Sequence, residues 1–213
     1  VANGPASTCV TSITRIPSNG RIALSLGYCR CGEHTAIGRL AEIRNQSDNL
    51  VFVQHRHGSI MGPIGVISDT HGLLRPQAVA ALRGSALIIH AGDVGRPEIL
   101  DELRTIAPVV AVRGNVDRDA WANRLPHSET VEHDGVLLYV LHILEELELD
   151  PPTAGFHAVI TGHTHRPKME TKDGVLYFNP GSAGPRRFDL PVSVGRLTAA
   201  DGKLHGELVY LQV

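Results

Sequence analysis

Oxygen and nitrogen donors recur at the ends of short apolar runs: Asp69 and His71 in ISDTHG, Asp93 in HAGD, Asn115 in RGNVD, His142 in VLH, and His163 and His165 in TGHTH. Carboxylate, amide and imidazole groups can together hold a ligand if the chain brings them to one place. Taken singly, each is weak. His55-Arg56-His57 repeats the His-x-His spacing with no supporting context, and a lone pair of that kind reads as solvated histidines. Asp-Thr-His can be a turn, Gly92-Asp93 can open a loop, and Asn115 alone reads as a cap or turn residue. Their order, each after an apolar run, changes the weight of the set.

The elements that must position these groups follow from the apolar pattern. Strands over 64–68, 86–89 and 109–112 alternate with helices near 76–82 and over 97–106, a βαβαβ series that implies a parallel sheet with right-handed crossovers. From about Thr130 the period changes. Runs 131–133 and 136–142 flank Asp134-Gly135, and Asp-Gly supplies the positive φ that a tight hairpin turn needs. A strand over 158–161 follows, then hairpins 168–171 with 175–178 around Asp173-Gly174, and 192–197 with 204–211 around Asp201-Gly202. The fold class expected is therefore α/β, parallel at the front and largely antiparallel at the back. In open α/β sheets ligands collect outside the carboxyl ends of strands, so all the donors above are expected on one rim. Gly162, before the second His-x-His, is expected to permit a close backbone approach.

Composition narrows the classes of function. With 213 residues and a net charge of −2, the chain fits one soluble globular domain with an appendage. Apolar runs such as Val136–Leu141 are far shorter than the ~18 residues of a membrane span. The near-neutral charge gives no electrostatic footprint for nucleic acid or anionic lipid, which argues against both as partners. Cys9, Cys29 and Cys31 all precede Met61, so the main body can hold no disulfide framework, which favours a reducing, cytoplasmic location.

In that order, ISDTHG, HAGD, RGNVD, the histidine of VLH, TGHTH and NPGS resemble the calcineurin-like metallophosphoesterase superfamily, and most of all its small YfcE-like phosphodiesterases. The likeness covers residues 61–213. It implies a four-layer α-β-β-α sandwich with a binuclear metal site. Carried over residue by residue, Asp69, His71 and His165 would hold one metal, Asn115, His142 and His163 the other, and Asp93 would bridge. The catalytic group implied is Asp93, Asn115 and Asp117, the last orienting a ligand or a water. Manganese is the first choice by resemblance, with zinc, iron, nickel or cobalt also suited to mixed imidazole and oxygen ligands. Two divalent cations against two carboxylates leave a surplus of positive charge, so an anionic phosphoryl group is the natural guest. A hydroxide bridging the metals would attack phosphorus in line, without a covalent intermediate. The partner expected is a small phosphoester; a homo-oligomer is left open.

The pattern departs from many relatives at two places. Val116 stands where they carry a histidine that helps protonate the leaving group, which points toward phosphodiesters with good leaving groups. Ile143 follows His142 where a glycine is common, and it does not readily take a glycine-only conformation. A phosphomonoesterase or nucleotide pyrophosphatase would share the same metals, and a non-catalytic binding scaffold of the same fold is a reading of another class. His90, His127, His133, His157, His205 and Trp121 read as packing, hairpin or surface residues. Arg186 and Arg187 either steer a phosphate or are exposed loop charges.

Residues 1–60 lack helical or alternating periods and contain Arg but no Lys. They are expected to be a disordered or non-native extension, with the working domain starting at Met61. A zinc site on Cys9, Cys29, Cys31 and His34 lacks the usual spacing, and a transit peptide lacks its amphipathic helix.

Overall fold

A computed structural model describes residues 62–200 and 203–213; the expectations for residues 1–60, with their three cysteines and the first His-x-His, lie outside this range. The first sheet is seeded by two short runs buried on both faces, β1 (Ile64–Ile67) and β2 (Leu87–His90). Burial on both sides is what a central parallel strand requires, and β1 pairs in parallel with β2, as β2 does with β3 (Val109–Ala111). The crossovers are α1 (Pro76–Leu82), with proline in its first turn, and α2 (Glu98–Arg104), with Glu98 and Asp101 in its first turn and Arg104 in its last, as the helix dipole favours.

The second sheet contains β4 (Ser128–His133), β5 (Val136–Leu141), β6 (Ala158–Ile160), β7 (Lys168–Lys172) and β8 (Val175–Asn179) in the order β4-β5-β6-β8-β7. β7 is exposed along its length and carries Lys168, Glu170 and Lys172, charges that suit an edge. The last hairpin, β9 (Ser193–Ala200) and β10 (Lys203–Tyr210), completes the first sheet in the order β10-β9-β1-β2-β3.

The back half is largely antiparallel, as expected, but it contains two short parallel pairings, β5 with β6 and β6 with β8. The third hairpin joins the front sheet, where β9 lies antiparallel to β1. An Asp-Gly turn specifies which two strands pair locally, but which sheet the pair joins is decided by distant apolar faces. Boundaries also move by one to three residues, most at the start of β4 (Ser128) and the end of β9 (Ala200).

The core forms in layers. Ile64, Val66, Ile89, Leu138, Val140, Ile160 and Phe178 pack between the sheets, and Ile67, Leu82, Ile88, Ile99 and Leu103 pack beneath the helices. On the outer face of the second sheet, Leu141, Val159 and Val175 are covered by Tyr139, Leu147 and Tyr177. The α-β-β-α layering is thus present, with its last layer thinned to the segment around the short 3-10 turn Leu144–Glu146 and the buried Phe156.

Candidate metal centre

Every donor singled out in the sequence leaves the carboxyl end of a strand. Asp69 and His71 follow β1, Asp93 follows β2 and Asn115 follows β3, while His142 follows β5 and His163 and His165 follow β6. The chain turns sharply to aim them inward: Asp69 (φ 54°), His71 (45°), Asp93 (54°), His163 (68°) and His165 (57°) all occupy the left-handed region. Each such residue costs about 1–3 kcal/mol unless its surroundings hold it. Here the loops hold one another, with the Asp69 N–H donating to Gly92 O at 3.0 Å and the His71 N–H to Asp93 O at 2.9 Å. Two glycines let the loops meet. A Cβ on Gly114 would overlap the backbone and carboxylate of Asp93, and one on Gly162 would overlap Ser68 and Asp69. Gly162 therefore permits the close approach expected of it.

The side chains converge in two groups that share Asp93. In the first, His165 Nε2 lies 3.2 Å from Asp69 Oδ1 and 3.1 Å from His71 Nε2. In the second, Asn115 Oδ1 lies 3.1 Å from His142 Nε2 and 3.0 Å from His163 Nδ1. Asp93 divides its oxygens between them: Oδ1 is 3.4 Å from His142 Nε2, and Oδ2 is 3.8 Å from His71 Nε2. Asp69, His71 and His165 thus lie together, as do Asn115, His142 and His163. Asp69, His71 and His165, and separately Asp69, Asp93 and His142, each place one ligand atom within 4.8 Å of the others.

These donors fit cations better than they fit each other. Asp69 is fully buried; its Oδ2 accepts the His163 N–H at 3.1 Å, while Oδ1 has no hydrogen-bond partner among the described residues. A bare buried carboxylate oxygen is costly unless a positive charge meets it. The His142 Nδ1–H donates to Ala91 O at 2.7 Å, which fixes the tautomer and leaves the Nε2 lone pair facing Asn115 and Asp93. Without a metal, protons take up part of this role. Burial pulls His142 down, but the Asp93 carboxylate outweighs it and the net shift is upward. Burial likewise raises Asp93, while its bonds to His142 and the Val116 N–H bring it below the usual carboxylate range. His71 is lowered, by burial first, against Asp93 and Asp69 and with help from Arg187 and His165. A proton or a cation between these acceptors offsets their charge, and the two groups of donors are each suited to hold a metal ion.

Around the donors, other residues take definite places. Asp117 is buried, and its oxygens accept the backbone N–H groups of Val94 at 3.1 Å, Gly95 at 2.8 Å and Gly114 at 3.0 Å. It orients the loops that carry Asp93 and Asn115. Ile143 has φ −109° and ψ 116°, so no glycine-only conformation is needed after His142. Val116 is 44% exposed beside Asn115, and its N–H donates to Asp93 Oδ1 at 3.0 Å. Arg187 is near enough for its charge to act on His71. His157 Nδ1 accepts the Leu137 N–H at 3.0 Å, so it links the strands where a surface or hairpin residue was expected.

Three supporting residues were not singled out from the sequence. Ser68 donates to Ala91 O at 3.1 Å, and Ser182 donates to Asp69 O at 2.9 Å. Asn179 Nδ2 donates to Gly162 O at 2.6 Å, beneath the histidine pair. NPGS carried the signal for Asn179 and Ser182, but only contacts distant in sequence give those residues their work.

The calcineurin-like phosphoesterase superfamily domain matches residues 63–202. A probable metallophosphoesterase of Methanothermobacter thermautotrophicus is 38% identical over 160 residues, covering 68% of this chain and 91% of that protein. A phosphodiesterase of Methanocaldococcus jannaschii is 28% identical over 137 residues, 55% of this chain and 82% of that one. Among solved structures, a novel archaeal phosphodiesterase superposes with a TM-score of 0.59 at 24% identity, covering 69% of this chain and 99% of that one. Vps29 of Chaetomium thermophilum superposes with 0.57 at 18% identity, covering 73% and 99%. The strand-end donors, the paired sheets and the matched domain make this chain a member of the calcineurin-like phosphoesterase superfamily. The matched domain and these relatives support a hydrolase acting on phosphate esters, and the residues that would hold metal here are assembled in the described structure.

Proposed function

We propose that the protein is a metal-dependent phosphodiesterase with a two-cation centre. The observation that carries this is the placement of Asp93, whose two oxygens face two different sets of donors. Asp69, His71, His165 and Asp93 would hold one cation, and Asp93, Asn115, His142 and His163 the other. When bound, such a pair lowers the pKa of a water and offsets the charge of the phosphoryl oxygens. The chain's own residues do the positioning. Asp117 and the Asp69 and His71 backbone bonds fix the loops, Ala91 O orients His142, and Arg187 adds positive charge at the rim.

The preference for diesters rests on Val116. It offers no proton to a departing oxygen, so substrates whose leaving group departs as a stable anion are favoured. Manganese is proposed as the working metal on family likeness, and a cytoplasmic setting on the absence of cysteine after residue 31.

The test pairs metal analysis with turnover. Purified protein, supplied with manganese, is assayed on bis-p-nitrophenyl phosphate and on p-nitrophenyl phosphate. Two metals per chain and faster diester hydrolysis are expected. Faster monoester hydrolysis overturns the diester preference. A metal-replete protein that hydrolyses neither is a binding scaffold.

A further inference from the structure

Beyond Asn115 and His142 the centre opens into a cleft of about 490 Å³, within the size range of small-molecule sites. Its walls carry the guanidinium groups of Arg113 and Arg118, the imidazole of His127 and a single carboxylate, Glu146. Both arginines are anchored to the loop that carries Asn115. Arg118 Nε donates to Asn115 O at 3.2 Å, and Arg113 Nε donates to Asp117 O at 2.9 Å. Tying down Nε fixes each guanidinium plane; Arg113 Nη1 also reaches Asn123 Oδ1 at 3.5 Å, and the remaining outer N–H groups are donors suited to carboxylate or phosphate. Among the described residues neither arginine forms an ion pair, although Arg104 pairs with Asp101 at 2.7 Å on the surface. Two oriented, unneutralised cations in a cleft beside the metal ligands are more charge than a monoanionic diester requires, because the metal pair already faces the reacting phosphoryl group.

Resting on the phosphodiesterase assignment, we infer that this cleft binds a second anionic group on the substrate. The substrate class is then a phosphodiester with one substituent that carries a further phosphate or carboxylate, held by Arg113 and Arg118. His127 supplies an additional donor, and Glu146 tempers the attraction.

Two chromogenic esters separate the ideas: thymidine 5′-(p-nitrophenyl phosphate), and the same ester with a 3′-phosphate. Both release p-nitrophenolate, so they differ only in the second anion. The manganese-loaded full chain should show a KM about tenfold lower for the 3′-phosphorylated ester, the scale of one charge-assisted hydrogen bond. Arg118→Glu should abolish that ratio, Arg118→Lys should keep part of it, and Glu146→Gln should widen it. Calorimetric binding of thymidine 3′,5′-bisphosphate should follow the same order without turnover. Equal KM values for the two esters in the wild type, or a ratio and a bisphosphate affinity indifferent to Arg118→Glu, overturn the second-anion site. Hydrolysis of the plain ester is the separate readout for the phosphodiesterase itself.

Discussion

Asp93 touches both halves of the centre, whereas His142 touches one, and this asymmetry can be measured. Asp93→Asn keeps the side-chain volume but removes the carboxylate whose oxygens are divided between the two groups. It is expected to lower turnover by about a thousandfold and to leave fewer than two metals per chain, while His142→Ala loses one metal and less activity. Elemental analysis under saturating manganese checks this, and equally mild effects would remove Asp93 from its bridging position. His90 makes a different kind of prediction. It is fully buried, its Nε2 hydrogen-bonds Thr70 Oγ1 at 2.9 Å, and Thr70 Oγ1 donates to Val94 O, so Nε2 holds the proton. Burial pushes its pKa down to about 4, against the pull of Asp117 and Asp69. A histidine lowered in the folded state favours the unfolded chain once protons compete. Its contribution is whole above the unfolded value of about 6.5 and is lost as pH falls toward the folded one. Between about pH 7 and pH 5 the wild type should lose roughly 2 kcal/mol more stability than His90→Gln in urea titrations. Ligand histidines titrate in both proteins, so the difference isolates His90; parallel losses would show that it is not held neutral.

At the scale of elements, the site depends on loops meeting without side chains between them. Gly114 passes so close to Asp93 that a methyl group there must displace the backbone or the carboxylate. Gly114→Ala should therefore abolish metal binding while the circular dichroism of both sheets persists, with a stability loss of about 1–3 kcal/mol from overpacking. Retained metal content would mean that the Asp93 loop yields more easily than its hydrogen bonds suggest. The sequence showed where these loops lie because each follows a run such as IGVI or LIIH, buried on both faces and short enough only for a strand. It also named donors that the fold brings together, because each follows a strand whose carboxyl end lies at the shared rim. The destination of the last hairpin was hidden. An alternating pattern in β9 and β10 says that one face is buried, but only the packing of Val194 and Leu197 against β1 and its neighbours says where. Asp117 was visible as a polar residue near Asn115. That it accepts three backbone N–H groups depends on Val94 and Gly95, more than twenty residues away, and no local pattern encodes it.

At the scale of the molecule, the two sheets have separate connectivity and a shared centre. The first sheet contributes Asp69, His71, Asp93 and Asn115, and the second contributes His142, His163 and His165. Bound cations would therefore tie one sheet to the other at the rim, above the apolar layer of Val66, Ile89, Val140 and Ile160. A ligand that binds only the folded state stabilises it by mass action, about 2.7 kcal/mol when its concentration is a hundred times its dissociation constant. Chelation withdraws that term and leaves Asp69 Oδ1 buried with no hydrogen-bond partner among the described residues, facing only the His165 imidazole at 3.2 Å. Thermal unfolding of the manganese-loaded protein should thus move to clearly lower temperature after chelation and return when metal is restored. A fragment of residues 61–213 should show the same reversible shift, because it holds every donor and all three described cores. Circular dichroism melts paired with elemental analysis distinguish the outcomes. A fragment that fails to fold would place part of the working domain in residues 1–60. A full chain whose midpoint does not move while its metal content falls to zero would show that the packed sheets, and not the cations, hold the rim together.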